Sequence, residues 1–267
     1  MSKTLSEPGN AQRRQRVQSA EMGMGILKAL ARLGGAASLT AVAGEVGENT
    51  AKVHRYMASL SQEGLVAQDP ATQHYYLGQE AIQIGLAALR QADPIRLGEP
   101  ALIRLREELK VTCFIAVMGN KGPTVLRFEE PGLPVTINVR AGSVLPMLWS
   151  ATGQVFLSYT DDENLAALAQ DEFLKGSKDQ RASLQARDPI EQLRKTVRKN
   201  GCAAIHDTML KGISAVAAPI FDYTGRVIAV LTALGATGGF DPSADGIIAG
   251  HVIRQANEIS AALGYNA

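Results

Sequence analysis

NTAKVHRYMASLSQEGLV, residues Asn49–Val66, is the stretch whose reading decides the fold. Val53, Tyr56, Met57 and Leu60 recur at helical spacing and form one apolar stripe. The other side carries Thr50, Lys52, His54, Arg55 and Ser59, and no acid follows Asn49 until Glu63. A solvated helix of an ordinary enzyme mixes both signs of charge. A face of cations and hydroxyls alone suits phosphates and base edges. The helix opens at Asn49 or Thr50, and Gly64 is placed to stop it.

Two more helices precede it. From Val17 to Leu33, residues Met22, Ile26, Leu27, Leu30 and Leu33 keep helical spacing, and Gly34-Gly35 ends the run. Ser38-Leu39-Thr40 opens a short second helix with Thr40 as its N-cap, and Gly47 breaks it. Downstream, LVAQ and HYYLG read as two strands joined by the turn DPATQ. Three helices and a hairpin over residues 17–78 predict a winged helix-turn-helix domain, in which the third helix enters the major groove of double-stranded DNA. In the wing, Gln73 and His74 are placed to reach the DNA backbone or minor groove, a merely polar turn being the other reading.

The chain has 267 residues, a formal charge of +1 and 20% charged residues, so net charge alone carries no nucleic-acid signature. The distribution does: AQRRQRVQSA, residues 11–20, holds three arginines and no acid. Residues 1–16 read as a disordered basic leader without the apolar core of a secretory signal. Cys113 and Cys202 lie far apart, so no disulfide framework is expected and a cytoplasmic location follows. No run approaches the roughly 18 apolar residues of a membrane span.

Residues 79–94 form a linker helix, and an α+β domain is expected over 95–267. Its parts are a helix over residues 95–109, strands TCFIAVMG, PTVLRFEE and VTINVR, and helices over Gly153–Tyr159, Asp161–Gln170 and Pro189–Asn200. A hairpin of SAVAAPIFD and VIAVLTALG and a closing helix, Asp245–Leu263, complete it.

No P-loop, G-x-S-x-G, H-E-x-x-H, EF-hand or G-x-G-x-x-G motif occurs, and the four histidines are scattered, so neither a metal nor a cofactor is expected. Cys202 with His206 and Asp207 supports an alternative, a small-molecule hydrolase whose N-terminal unit serves dimerisation. Against it, neighbouring His206 and Asp207 point to opposite faces if the segment is a strand. In GSVLPMLWSATGQVFLSY, a helix opens near Ser150–Gly153 just after Trp149, the chain's single tryptophan. Unpaired amides at such a start suit a carboxylate. Core packing of Trp149 and plain capping by Ser150 are the competing reading.

Several of these segments together resemble the IclR family of bacterial transcriptional regulators. They are VQSAEMGMGILKALARLGG, LTAVAGEVGENTAKVHRYMASLSQEGLVAQD, YYLG, LPMLWSATGQVFL, GISAVAAPIFDYTGRVIAVLTALG and the closing ISAALG, in order from Val17 onward. The resemblance implies a winged helix-turn-helix domain, a linker helix and a GAF/PAS-like effector domain. It also implies homodimers that pair into tetramers, and control of transcription by small organic acids or aromatic catabolites. Its pocket maps onto Ala151 and Thr152, the segment Ile205, His206 and Asp207, then Ala215, Thr232 and Leu234. Two departures stand out: Leu148-Trp149 replaces a His-Ala pair, and of an acidic pair only Asp207 remains. They point to an aromatic carboxylate, its ring near Trp149 and its carboxylate on the amides of Ala151–Gly153. The expectation is a ligand-responsive repressor of a catabolic operon. A DNA-architectural protein without a ligand is disfavoured by the size of the second domain.

Overall fold

The computed structural model describes residues 17–132, 139–182, 184 and 188–266. The leader expected over 1–16 and most of the VTINVR strand lie outside the described residues. The chain divides into two units, Met1–Gln91 and Ala92–Ala267.

In the first unit α1 (Gln18–Arg32), α2 (Leu39–Val46) and α3 (Thr50–Gln62) bury one stripe each. Ile26 and Leu30, Val42 and Ala43, and Val53, Met57 and Leu60 meet in a single core with Val66 and Tyr75. Each fully buried aliphatic side chain there contributes about 1.5–3 kcal/mol relative to exposure. The cap of α2 is Ser38, not Thr40: Ser38 Oγ accepts from the Ala41 amide at 3.2 Å, and Thr40 sits within the first turn. Gly47, at φ 69°, supplies the left-handed residue that ends α2 so close to α3. Asn49 caps α3 by accepting from the Lys52 amide at 2.8 Å.

The wing has three strands, in the order β1 (Ala36–Ala37), β3 (Tyr75–Leu77), β2 (Val66–Gln68). Ala36 pairs with Tyr76 and Val66 with Leu77. The sequence hid β1 because two residues carry no alternation. Helix α4 (Gln79–Arg90) follows and has no buried residue.

The second unit is built on a five-stranded antiparallel sheet ordered β5 (Gly122–Glu129), β4 (Thr112–Gly119), β8 (Val227–Ala236), β7 (Ile213–Phe221), β6 (Ala203–His206). Strand alternation sends Cys113, Ile115, Val216, Ala218 and Ile220 to one face, against α5 (Pro94–Leu109) and α10 (Ile247–Ala262). Phe114, Ala116, Ala215 and Ala217 face the other way, against α6 (Ala151–Tyr159). Helix α6 is buried from Ala151 to Ser158, so it shows little amphipathic period. It begins two residues earlier than the sequence reading has it. The outer helices are α7 (Glu163–Lys175), which outruns the expected Asp161–Gln170, the short α8 (Lys178–Ala182), and α9 (Pro189–Asn200). Among the described residues, no helix is long and apolar enough to cross a membrane.

Candidate functional site

Helix α3 presents Thr50, His54, Arg55 and Ser59 to solvent, as its period requires. Lys52 differs. It is half-buried, and its Nζ lies 2.6 Å from Glu48 Oε1, an acid in the turn just upstream of the quoted stretch. The face therefore has a carboxylate at its edge after all, and Lys52 is held by it rather than free. Ser59 Oγ donates to the Arg55 carbonyl at 3.3 Å and keeps its lone pairs for a donor.

In the wing, Gln73 is not a free contact. It adopts φ 59°, its Nε2 donates to the Pro70 carbonyl at 2.8 Å, and Gln68 Nε2 donates to its main-chain oxygen at 3.1 Å. Those bonds commit Gln73 to closing the turn. Asp69 braces the same turn by accepting from the Ala71 amide at 2.8 Å, and this bond and that from Thr72 lower its carboxyl pKa. His74 stays exposed.

In the second unit the sheet register places Ile205 opposite Ala215, and Ala215 opposite Leu234, in one row. These three share a core cluster with Leu148, Trp149 and Ala151. Thr232 lies on the same face, and its Oγ1 is 2.9 Å from Thr152 Oγ1, joining β8 to α6. Four separated segments, residues 148–152 and strands β6, β7 and β8, thus meet on this face of the sheet.

The carboxylate site at the start of α6 does not form at Gly153. Ser150 Oγ accepts from the Gly153 amide at 2.9 Å and donates to the Pro146 carbonyl at 2.6 Å. A Cβ on Gly153 would lie 2.3 Å from the Met147 carbonyl oxygen and 2.4 Å from that of Pro146. Carbonyl oxygens therefore crowd the turn, and they repel an anion. The protein supplies its own carboxylate to the preceding loop: Glu172 accepts from the amides of Met147 and Leu148 at 2.9 and 2.8 Å. Trp149 Nε1 donates to the Glu172 carbonyl, and its ring stacks on Phe173 with centroids 6.5 Å apart.

Asp207 also departs from a ligand-contact role. At φ 54° it closes the loop between β6 and β7, accepting from Thr237 Oγ1 at 2.6 Å and the Gly212 amide at 2.9 Å. The Thr237 hydrogen bond is the main cause of its lowered pKa. His206 is exposed, its Nδ1 3.7 Å from Asp207 Oδ2. Cys202 is buried in the cluster on the other face of the sheet, and burial raises its thiol pKa. A thiol held protonated is a poor nucleophile. No hydrogen bond joins it to His206 among the described residues.

A cavity of about 570 Å³ opens beside these residues. Trp149, Leu193, Val197 and Ile205 give it apolar walls, while Gln154, Gln192, Thr196, Asn200 and His206 supply polar ones. No lysine or arginine lines it among the described residues. The sequence reading missed the wall from α9, although a signal exists. Gln192, Thr196 and Asn200 recur every four residues as an uncharged polar stripe, in a helix that otherwise carries Arg194, Lys195, Arg198 and Lys199. Gln154 is likewise conspicuous within the buried helix ATGQVFLSY. Among the described residues no group of histidine, cysteine or acidic side chains gathers to hold a metal.

Comparison with known proteins decides what this arrangement belongs to. Residues 19–70 match the IclR helix-turn-helix domain, and residues 86–261 match the bacterial transcriptional regulator IclR C-terminal domain. The chain belongs to the IclR family. It is 25% identical over 252 residues to the acetate operon repressor of Salmonella typhimurium, covering 93% of this chain and 90% of that one. It is 24% identical over 250 residues to the transcriptional repressor IclR of Escherichia coli, with the same coverage of 93% and 90%. The crystal structure of Pseudomonas aeruginosa HmgR superposes with a TM-score of 0.85 at 39% identity, covering 94% of this chain and 100% of that one. IclR proteins are ligand-responsive, DNA-binding transcriptional regulators, not enzymes, and the hydrolase alternative falls with that membership.

Proposed function

We propose that this IclR-family regulator represses a catabolic operon in the cytoplasm as a homodimer, with dimers able to pair into tetramers. An aromatic carboxylate releases it from the operator. The cavity beside Trp149 carries this reading: at about 570 Å³ it is within the usual range for one small ligand. The ring inserts against Trp149, Leu193 and Val197, which present flat and apolar surface. The carboxylate stays at the wet mouth beside His206, because the α6 start is crowded by carbonyls and the interior offers no cation among the described residues.

On the DNA side, two copies of α3 occupy successive major-groove half-sites, about 34–36 Å apart, of a near-palindromic operator. Arg55 and His54 meet phosphates or guanine edges, and Thr50 and Ser59 meet phosphates. The linker of residues 79–94 carries the signal, as a coupling free energy of ~1–3 kcal/mol between states. The repressor names of the relatives support the sign of regulation.

The test is a titration of Trp149 emission and of the thermal midpoint with a panel of aromatic acids. A saturable change in both is expected. No change with any member would remove the aromatic acid.

A further inference from the structure

Lys52 stands in the first turn of α3, the part of a recognition helix that meets base edges. Its Nζ lies 2.6 Å from Glu48 Oε1, and the two side chains are only 35% and 26% exposed. The acid is itself fixed in place. Gly47 turns at φ 69°, the Glu48 amide donates to the Ala43 carbonyl at 3.0 Å, and Asn49 takes the Lys52 amide as its cap. Both the backbone and the ammonium of Lys52 are therefore held from one turn. Arg55, one turn further along α3, is exposed and meets no acid among the described residues.

The charge around this pair is sparse. Residues 17–91 hold five lysines and arginines against six acids. A second cation, Arg32 at the end of α1, is held by Glu45 of α2 at 2.8 Å. Acids at the end of α2 and just beyond it thus cancel one cation on each neighbouring helix. A neutral pair displaces no counterions from DNA, so Lys52 adds nothing on a sequence that offers only phosphates. An ammonium has three donors, and Glu48 takes one. Two N–H groups remain, and the major-groove edge of guanine presents two acceptors, O6 and N7.

We propose that Glu48 is a positioning residue for operator reading: it withholds Lys52 from the phosphate backbone and presents its remaining N–H groups to a guanine edge. The inference rests on the placement of α3 in the major groove and adds how that helix separates its operator from other DNA.

The test uses the full chain. The unaltered protein selects a preferred duplex from a random library, and binding to it and to a scrambled duplex is measured across salt concentrations. On the scrambled duplex, Glu48→Gln should steepen the slope of log K against log salt by about 0.9 for each α3 engaged, because the freed ammonium neutralises one more phosphate. Glu48→Gln combined with Lys52→Met removes the whole pair and should return that slope to its original value. The preference for the selected duplex should fall about tenfold in both variants. Replacing guanines singly by 7-deazaguanine, which lacks N7, should reveal a position that weakens the unaltered protein and leaves the double variant indifferent. Thermal midpoints check folding, and Glu48→Ala replaces Glu48→Gln if the latter is unfolded. An unchanged scrambled-duplex slope in the folded single variant overturns the inference, as does an unchanged preference in the double variant. In either case, weaker binding of the selected duplex by Arg55→Ala leaves α3 in the groove. A selection that enriches no sequence overturns the groove placement and the inference together.

Discussion

Replacing Glu172 by alanine removes the carboxylate that receives both the Met147 and Leu148 amides. These bonds tie α7 to the loop that carries Trp149 and opens α6, across 25 and 24 residues of chain. A hydrogen bond to a charged group contributes about 1.5–3 kcal/mol, and an amide left without a partner costs comparably. Both amides depend on one half-buried side chain, so their losses overlap and water recovers part of them. The expected destabilisation is about 2–4 kcal/mol. Glu172→Gln keeps an acceptor oxygen but loses the charge and turns an NH₂ group toward a donor, so about half that loss is expected. Urea unfolding followed by Trp149 emission reads both variants, and the thermal midpoint should fall by ~2–4 °C per kcal/mol in a unit of this size. If both variants unfold within ~0.5 kcal/mol of the unaltered protein, an error margin typical of such comparisons, the loop is not held by Glu172 and the argument against an anion there loses its support.

Arg55→Ala should weaken operator binding by about 1–3 kcal/mol in a mobility-shift titration, and unchanged affinity at moderate salt would remove Arg55 from the interface. Thr152→Val leaves the buried Thr232 hydroxyl without its partner at 2.9 Å and should cost about 1–2 kcal/mol. Thr152→Val with Thr232→Val together should cost less than the sum, and strict additivity in the double-mutant cycle would contradict the pair. Asp207 has a folded-state pKa held below its ordinary value of 3.8 by Thr237 and Gly212. Its stabilisation is therefore complete above that ordinary value and is lost as pH falls through the lower folded one. Asp207→Asn should flatten this acid limb of the stability curve, and an unaltered limb would show that the loop bonds do not matter.

The sequence reveals those parts of the structure that local chemistry writes. The period of Val53, Met57 and Leu60 and the Asn49 cap mark α3, and Pro189 and Gly201 bracket α9. What stays hidden depends on partners distant in the chain or outside the window. Glu48 sits ahead of the helix whose Lys52 it holds. The lone pairs of Glu172 go to amides 24 and 25 residues away, and no local pattern records that. The convergence of Ile205, Ala215 and Leu234 follows from strand register, which resemblance supplies and spacing does not. Ser150 as a cap is legible from its place before α6, yet the carbonyls that crowd the same turn are not, and they displace the expected carboxylate. The polar wall of α9 is written in the sequence but ambiguous there, because Gln192, Thr196 and Asn200 look like any solvated face until a cavity lies against them.

The most direct test of the central claim joins the two units in one experiment. A labelled fragment from upstream of the protein's own coding region is bound by the full chain, and an aromatic acid that quenches Trp149 is titrated into the complex. The account predicts salt-dependent, sequence-preferring binding and release of the DNA over the same acid concentrations that change the emission. Emission that saturates while the DNA stays bound at every acid concentration would contradict it.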